Sequence, residues 1–267
     1  MSTKAPLLPT HRSSWVLRGA SVPGARNLQE AGPSQDAFST ASLSHPAGEV
    51  IALLVADGAG SASRAADGAT LAVSSALSSA RRRILGAPPA TGAAWRELIR
   101  GVAADAVGQI HAAARAFDDC TVEDLSCTLA ITLLSGRWLA ILTIGDTFAV
   151  IRREDRGLHL PLVPHRPTDD PSQTVFVSHP NCLSLAAIAI VEDEQIEACA
   201  LSSDGLDRSA LLQTKNGVEP YAPFLDPLID LARTEDSSAS LARFLLTDEQ
   251  LSDTTDDDRT LVMAVRK

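Results

Sequence analysis

The hydrophobic positions of this chain change period along its length. Short apolar runs come first: Trp15 to Arg18, the half-polar stretch SQDAFSTASLS over 34–44, and the unbroken run Val50 to Ala56. Each is of strand length, and the Gly-, Pro- and Asn-rich segments between them, Gly19 to Pro33 and His45 to Gly48, read as a loop and a turn. From Ser63 to about Leu85 the Ala-rich sequence predicts a helix, with Ser61 or Ser63 as N-cap. GAPPATG breaks it. Trp95, Leu98, Ile99, Val102, Val107 and Ile110 then recur at helical spacing, which predicts a second helix over 93–117 packed antiparallel to the first. Beyond it the period drops towards two. CTLAITLL and RWLAILTIG flank Ser135-Gly136 as a hairpin, and FAVIRRE and LHLPL flank Asp155-Arg156-Gly157 as another. Pro161 to Asn181 is polar and proline-rich, a long loop or flap. LSLAAIAIVE and IEACALSS predict two more strands. Tyr221 to Leu246 is broadly helical, with Pro223 and Pro227 expected to confine helix to its later part. DDDRTLVMAVRK closes the chain as a strand.

Strands, two helices, a run of strands, helix and strand make an α+β order, not an alternating β-α-β one. No internal repeat or linker is visible. Residues 1–13 read as a flexible tail and 14–267 as a single domain.

Composition narrows the functional classes. The chain of 267 residues is 45% hydrophobic, enough for a large core, and carries a net charge of -10. Such acidity argues against nucleic acid as a partner, since phosphate backbones demand clustered Lys and Arg. It suits metal cations or basic protein segments. Cys120, Cys127, Cys182 and Cys199 form no C-x-x-C pair and read as small buried hydrophobes in a reducing cytosol. The N-terminus lacks the apolar core of a signal peptide, and no apolar run approaches the roughly 20 residues of a membrane helix. The expectation is a cytoplasmic protein with no membrane partner.

One event recurs. An apolar strand meets an aspartate at one of its ends at Asp36, at Asp57 (VADGAGSA), at Asp146 (TIGDT), at Asp204 (LSSDGLD) and at Asp257 (DDDRTLV). Any one Asp-Gly pair is ordinary turn chemistry. Five together could converge on one sheet edge, where mutual repulsion would call for divalent cations; an all-oxygen donor set suits Mg²⁺ or Mn²⁺.

The ordered set SQDAF, VADGAGSA, CTLAITLLSGRWLAILTIGDT, LSSDGLD and DDDRTLVMAV resembles the metal-dependent protein phosphatase 2C family, from about Trp15 to the C-terminus. The nearest likeness is a bacterial branch with a DGAGSA-type turn. The resemblance implies two antiparallel β-sheets packed as a sandwich and flanked by antiparallel helix pairs, four layers in all, with metals at one end. It implies that Asp57 bridges two cations and that Gly58 offers one of them its backbone carbonyl. Asp204 and Asp257 match further ligands, Asp36 an acidic residue acting near the site through water, and Asp146 the ligand of a third, weaker ion. Asp258 is Asp257's neighbour and Asp256 is solvated. The activity implied is hydrolysis of phosphoserine and phosphothreonine on proteins by a water activated between two Mn²⁺ or Mg²⁺ ions, with Asp57 and Asp204 central to catalysis and a partner Ser/Thr kinase among the implied substrates. A thiol phosphatase is excluded, because Ser126, Leu133, Ile188 and Gly205 stand where Cys-x₅-Arg requires arginine.

The chain also departs from the family. The phosphate-binding Arg a few residues before the first Asp is replaced at that spacing by Ala31; Arg26 is the nearest candidate, and a solvated loop Arg is the competing reading. Gln35 stands where some members have an acidic residue, and Thr128 reads as packing on a core strand. Two rivals follow. Gly58-Ala59-Gly60 before a helix is like a dinucleotide turn, but Ser63 replaces its third glycine and no β-α-β unit follows. An inactive phosphatase-fold module that binds a phosphorylated or kinase partner is the alternative that the missing Arg keeps open.

Overall fold

In the computed structural model, residues 15–29, 32–45, 48–85, 88–154, 157–164, 174–234, 237–247, 251 and 255–267 are described. The expected tail, and parts of the two Pro-Gly turns, of the 155–157 turn and of the 161–181 flap, lie outside them.

The run Val50 to Ala56 shows how the layers arise. It belongs to a strand, β3 (Gly48–Ala56), that is buried from Val50 onward. Ile51, Leu53 and Val55 pack into one hydrophobic cluster and Val50, Ala52, Leu54 and Ala56 into another. A strand covered on both faces needs no polar alternation, which is why it reads as a continuous apolar run. β3 pairs with β2 (Ala37–His45) and β4 (Leu129–Ser135), and β4 continues through β5 (Trp138–Ile144) to β8 (Ala187–Glu192) in an antiparallel sheet of order β2-β3-β4-β5-β8. A second sheet has the order β1-β12-β9-β6-β7, from Trp15–Val22, Arg259–Arg266, Ile196–Ser202, Phe148–Arg153 and Gly157–His159. Leu201, Val262 and Ala264 of the second sheet meet Ile51, Leu53, Val55 and Ile141 of the first in the inter-sheet core.

The helices α2 (Ala65–Ile84) and α3 (Gly92–Ala116) cover the outer face of the first sheet. Ser79 reaches Asp105 while Arg83 lies over Gly101, so the two run antiparallel. α6 (Ala222–Leu231) and α7 (Ser237–Thr247) cover the second sheet through Leu225, Leu228, Ile229, Leu241 and Leu245. The result is the expected four-layer α-β-β-α sandwich. A separate hairpin, β10 (Leu211–Thr214) with β11 (Gly217–Pro220), hangs beside it.

Several local expectations need correction. β1 extends through Gly19 to Val22, because pairing with β12 continues to Val22↔Arg259, and a short helix α1 (Ala25–Gln29) follows where loop was expected. Neither Ser61 nor Ser63 caps α2: Arg64 holds the N-cap position without a side-chain capping bond, and Ser63 Oγ donates to Asp124 Oδ1 at 2.5 Å. Thr91 does cap α3, accepting from Ala94 N. The first hairpin turns at Gly136-Arg137, since Ser135 already pairs with Trp138. Leu183-Ser184-Leu185 is helical, in α4 (Cys182–Leu185), and not the start of a strand. Pro223 and Pro227 both lie within α6. Pro223 falls in the first turn, where a missing N–H costs nothing, and Pro227 removes one bond in the second. A four-residue helix, α5 (Asp207–Ala210), and the β10–β11 hairpin had no counterpart in the sequence reading.

Candidate metal centre

The candidate aspartates come from strand ends of both sheets. Asp36 precedes β2 and Asp57 follows β3, while Asp204 lies two residues after β9 and Asp257 two before β12. The sandwich brings these ends together at one corner. The Asp57 and Asp204 carboxyls come close enough to interact directly, and Asp36, Asp204 and Asp257 all act on Asp57 by charge repulsion. Burial, first, and these like charges, second, hold the Asp57 carboxyl well above the usual carboxylate range. Asp36 is pushed up to about 7, chiefly by burial, against the lowering effect of the Thr260 and Ser203 hydroxyls. Asp36 Oδ2 accepts from Ser203 Oγ at 2.8 Å, whereas its buried Oδ1 has no hydrogen-bond partner among the described residues. An unpartnered buried carboxylate oxygen within a mutually repelling acidic group fits a cation, and the all-oxygen donors favour a hard one. No three of these side chains close on a single point as a finished shell among the described residues. Backbone carbonyl and water would complete it.

Gly58 is set up to supply that carbonyl. It bridges Cys127 in antiparallel fashion, with Thr128 N donating to Asp57 O at 2.8 Å and Ala59 N to Ser126 O at 3.0 Å. This is the non-hydrogen-bonded kind of pair, so Gly58's own N–H and C=O point away from β4, towards the side where Asp36 begins β2. A Cβ on Gly58 would lie 2.7 Å from Gln35 O, so only glycine lets the Gln35-Asp36 backbone come this close.

Asp258, read from sequence only as a neighbour, is the buried anchor of the corner. Its Oδ1 accepts from Gly24 N at 2.7 Å and Asn27 Nδ2 at 2.9 Å, and its Oδ2 from Asn27 Nδ2 at 2.9 Å and Gln35 N at 2.5 Å. One carboxylate thereby fastens both ends of the 24–35 segment, which carries Arg26 and leads into Asp36. Gly205 packs against Asp258 so closely that a Cβ there would sit 1.9 Å from its carbonyl oxygen. Thr128 also does more than pack. Its buried hydroxyl accepts from Asp57 N at 2.9 Å and bonds Thr147 Oγ1 at 2.9 Å. No residue pattern marks Asn27, Ser203 or Thr147 from sequence, because their partners lie on other strands.

Arg26 reaches the corner: its Nη2 is 4.0 Å from Asp257 Oδ1, and its guanidinium covers Gly60. Asp257 is exposed, as is Asp256. Asp146 lies in the turn between β5 and β6. It accepts from Thr174 Oγ1 at 2.7 Å and, among the described residues, has no direct hydrogen bond to the other four. All four cysteines are free and buried, and burial pushes the Cys199 thiol up to about 12 and raises that of Cys127, which leaves both as poor nucleophiles.

Comparison with known proteins agrees with this arrangement. A family model described as protein phosphatase 2C matches residues 23–246. Serine/threonine-protein phosphatase 3 of Escherichia coli K12 is 28% identical over 259 residues, covering 94% of this chain and 98% of that protein. The serine/threonine phosphatase Stp1 of Staphylococcus aureus superposes with a TM-score of 0.64 at 15% identity over 100% of both chains. The catalytic domain of the serine threonine protein phosphatase PstP, solved with two manganese ions, does so with a TM-score of 0.60 at 18% identity over 94% of this chain and 98% of that one.

Proposed function

The chain belongs to the protein phosphatase 2C family, and from that premise we propose that it hydrolyses phosphoserine and phosphothreonine esters on proteins at the aspartate corner, with residues 14–267 acting as one catalytic domain. The observation that carries this reading is the convergence of the Asp57, Asp36, Asp204 and Asp257 carboxyls, within interaction range of one another at one end of the sandwich. These carboxylates arrive from both sheets and repel one another, an arrangement that is stable only with protons or cations among them.

In this reading Asp57, Asp204 and Asp257, with the Gly58 carbonyl, hold two Mn²⁺ or Mg²⁺ ions, and Asp146 holds a third more weakly. Bound cations supply Lewis acidity that offsets charge on the phosphoryl oxygens and acidifies water beside the phosphorus. The chain's own residues do the positioning. Thr128 fixes the backbone of Asp57 through its N–H, and Ser203 orients Asp36. Asp258 holds the segment bearing Arg26, whose guanidinium is free to turn from Asp257 to a phosphate oxygen, being half exposed. Water at the phosphorus would be oriented by Asp36, which retains an acceptor oxygen.

The test is Mn²⁺ binding by calorimetry alongside hydrolysis of a phosphothreonine peptide, for the parent, Asp57→Asn and Asp204→Asn. Loss of both Mn²⁺ heat and turnover with the fold retained is expected. Full turnover in either variant would overturn the assignment, and Mn²⁺ heat without any turnover in the parent would favour the inactive binding module.

A further inference from the structure

The chain is acidic as a whole, yet one stretch is not. Between residues 81 and 105 five arginines (Arg81, Arg82, Arg83, Arg96, Arg100) accompany two acidic residues (Glu97, Asp105), a local balance of +3 in a chain of -10. In the fold three of those arginines line one groove of about 530 Å³ along α3, floored by Leu142 and Leu183. Arg83 is anchored there, with Nε and Nη2 on the Asp105 carboxylate at 3.1 and 3.2 Å. Arg96 and Arg100 are different. They are exposed, and no carboxylate among the described residues pairs with either. One turn apart on α3, they present two guanidinium groups on the same side of the groove.

We propose that this groove docks an acidic segment of the phosphoprotein substrate, away from the residues that hold the phosphate. The inference rests on the phosphatase reading above and extends it to substrate choice. Charge decides the occupant: the net charge of -10 favours a basic segment over most of the surface, whereas this groove, with two exposed arginines that no carboxylate among the described residues pairs, favours an acidic one. Spacing then restricts it. Residues four apart on a helix have Cβ atoms about 5–6 Å apart. Alternate residues of an extended peptide are about 6.6 Å apart and point the same way. Glu or Asp at positions i and i+2 therefore meets Arg96 and Arg100 together. The groove spans α3 from Ala93 to Ala104, about 16 Å at 1.5 Å per residue, room for roughly five extended residues. Leu183, partly exposed above the buried Leu142, accepts an intervening apolar side chain. Glu97 sits between the two arginines and weakens the site, which makes it a tuning position.

The experiment uses the full chain and a fluorescein-labelled peptide with Glu at alternate positions and Leu between, read by anisotropy at 50 and 200 mM salt. Arg96→Glu/Arg100→Glu should weaken binding at least tenfold. Glu97→Gln should tighten it about threefold, and the control Arg81→Glu/Arg243→Glu, with the same charge change outside the groove, should alter it less than threefold. The KM of a phosphothreonine peptide extended by that acidic segment should rise in the Arg96/Arg100 variant, while turnover of p-nitrophenyl phosphate stays at the parent value. Equal weakening by the control pair, or none by the groove pair, overturns the docking site. Absence of p-nitrophenyl phosphate hydrolysis by the parent overturns the phosphatase reading instead, and anisotropy still decides whether the groove binds.

Discussion

Asp258→Ala offers the sharpest test of how the corner is held. The carboxylate is 3% exposed and accepts four hydrogen bonds from Gly24 N, Gln35 N and Asn27 Nδ2. Truncation leaves three donor groups unpartnered at a buried point. A hydrogen bond to a charged group is worth about 1.5–3 kcal/mol, and a stranded buried donor costs about 1–3 kcal/mol. The contributions overlap, because relaxation of the 24–35 segment would let water reach some donors, so the net loss should be about 4 kcal/mol. For a chain of this size each kcal/mol corresponds to about 2–4 °C, which places the fall in Tm at roughly 8–16 °C. Asp258→Asn keeps one acceptor oxygen but turns an NH₂ towards N–H donors, so it should lose about half as much. The assay is urea and thermal unfolding in chelator, with amide exchange resolved over 24–35. That segment should lose protection before β2 and β3 do. A loss under 1 kcal/mol in Asp258→Ala, or equal losses in the two variants, would refute the view that a carboxylate fastens this segment.

Three further outcomes follow from the same geometry. In chelator-treated protein the folded Asp36 carboxyl ionises near 7 and the unfolded one near 3.8, so between those values the folded state binds more protons. Asp36 should make stability fall as pH rises through that window, by up to about 4 kcal/mol at neutral pH, with Asp57 adding to the same trend, so Asp36→Asn should reduce but not abolish the dependence in urea unfolding at pH 4.5 and 7.5; a parent that gains stability with pH contradicts it. Arg26→Ala should raise the KM of a phosphopeptide about tenfold, the value of one charge-assisted hydrogen bond, with kcat changed less than threefold; unchanged steady-state kinetics return Arg26 to a solvated loop residue. Thr128→Val removes the acceptor for Asp57 N while preserving volume. It should lower Mn²⁺ affinity measurably by calorimetry, with rescue by Thr128→Ser; equal affinity in all three leaves Thr128 as packing.

The layers of this fold were legible because burial on both faces writes a plain signal. β3, β4 and β5 are almost wholly apolar, broken only by Gly48-Glu49, Thr132, Ser135 and Thr143, and α3 repeats its apolar residues at helical spacing under a Thr91 cap. Where the reading failed, the deciding partner lay far away in sequence. Gly19 looked like the start of a loop, yet eight pairs with β12 carry β1 to Val22. Pro227 looked like a helix breaker, yet Leu225, Leu228 and Ile229 bury enough apolar surface to hold α6 around it. The aspartates were visible because each ends a strand. The residues that steady them were not. Asn27 and Asp258 are 231 positions apart, Ser203 and Asp36 are 167 apart, and a polar residue in a loop gives no local sign of such a partner.

This long-range pairing bears on how the corner works as a unit. Asp36 and Asp57 belong to one sheet, and Asp204 and Asp257 to the other, so their repulsion acts across the seam of the sandwich and tends to part the sheets at that end. Two struts oppose it. Ser203 Oγ donates to Asp36 while accepting from Thr260 N, and Asp258 grips the segment leading into β2 from the foot of β12. Both struts join the same two sheets that the carboxylates drive apart. The inter-sheet core of Ile51, Leu53, Val55, Leu201 and Val262 lies just beneath, fully buried, and resists any hinge there. The corner can therefore keep these carboxyls close together without collapsing or splaying, which the proposed exchange of protons for cations requires.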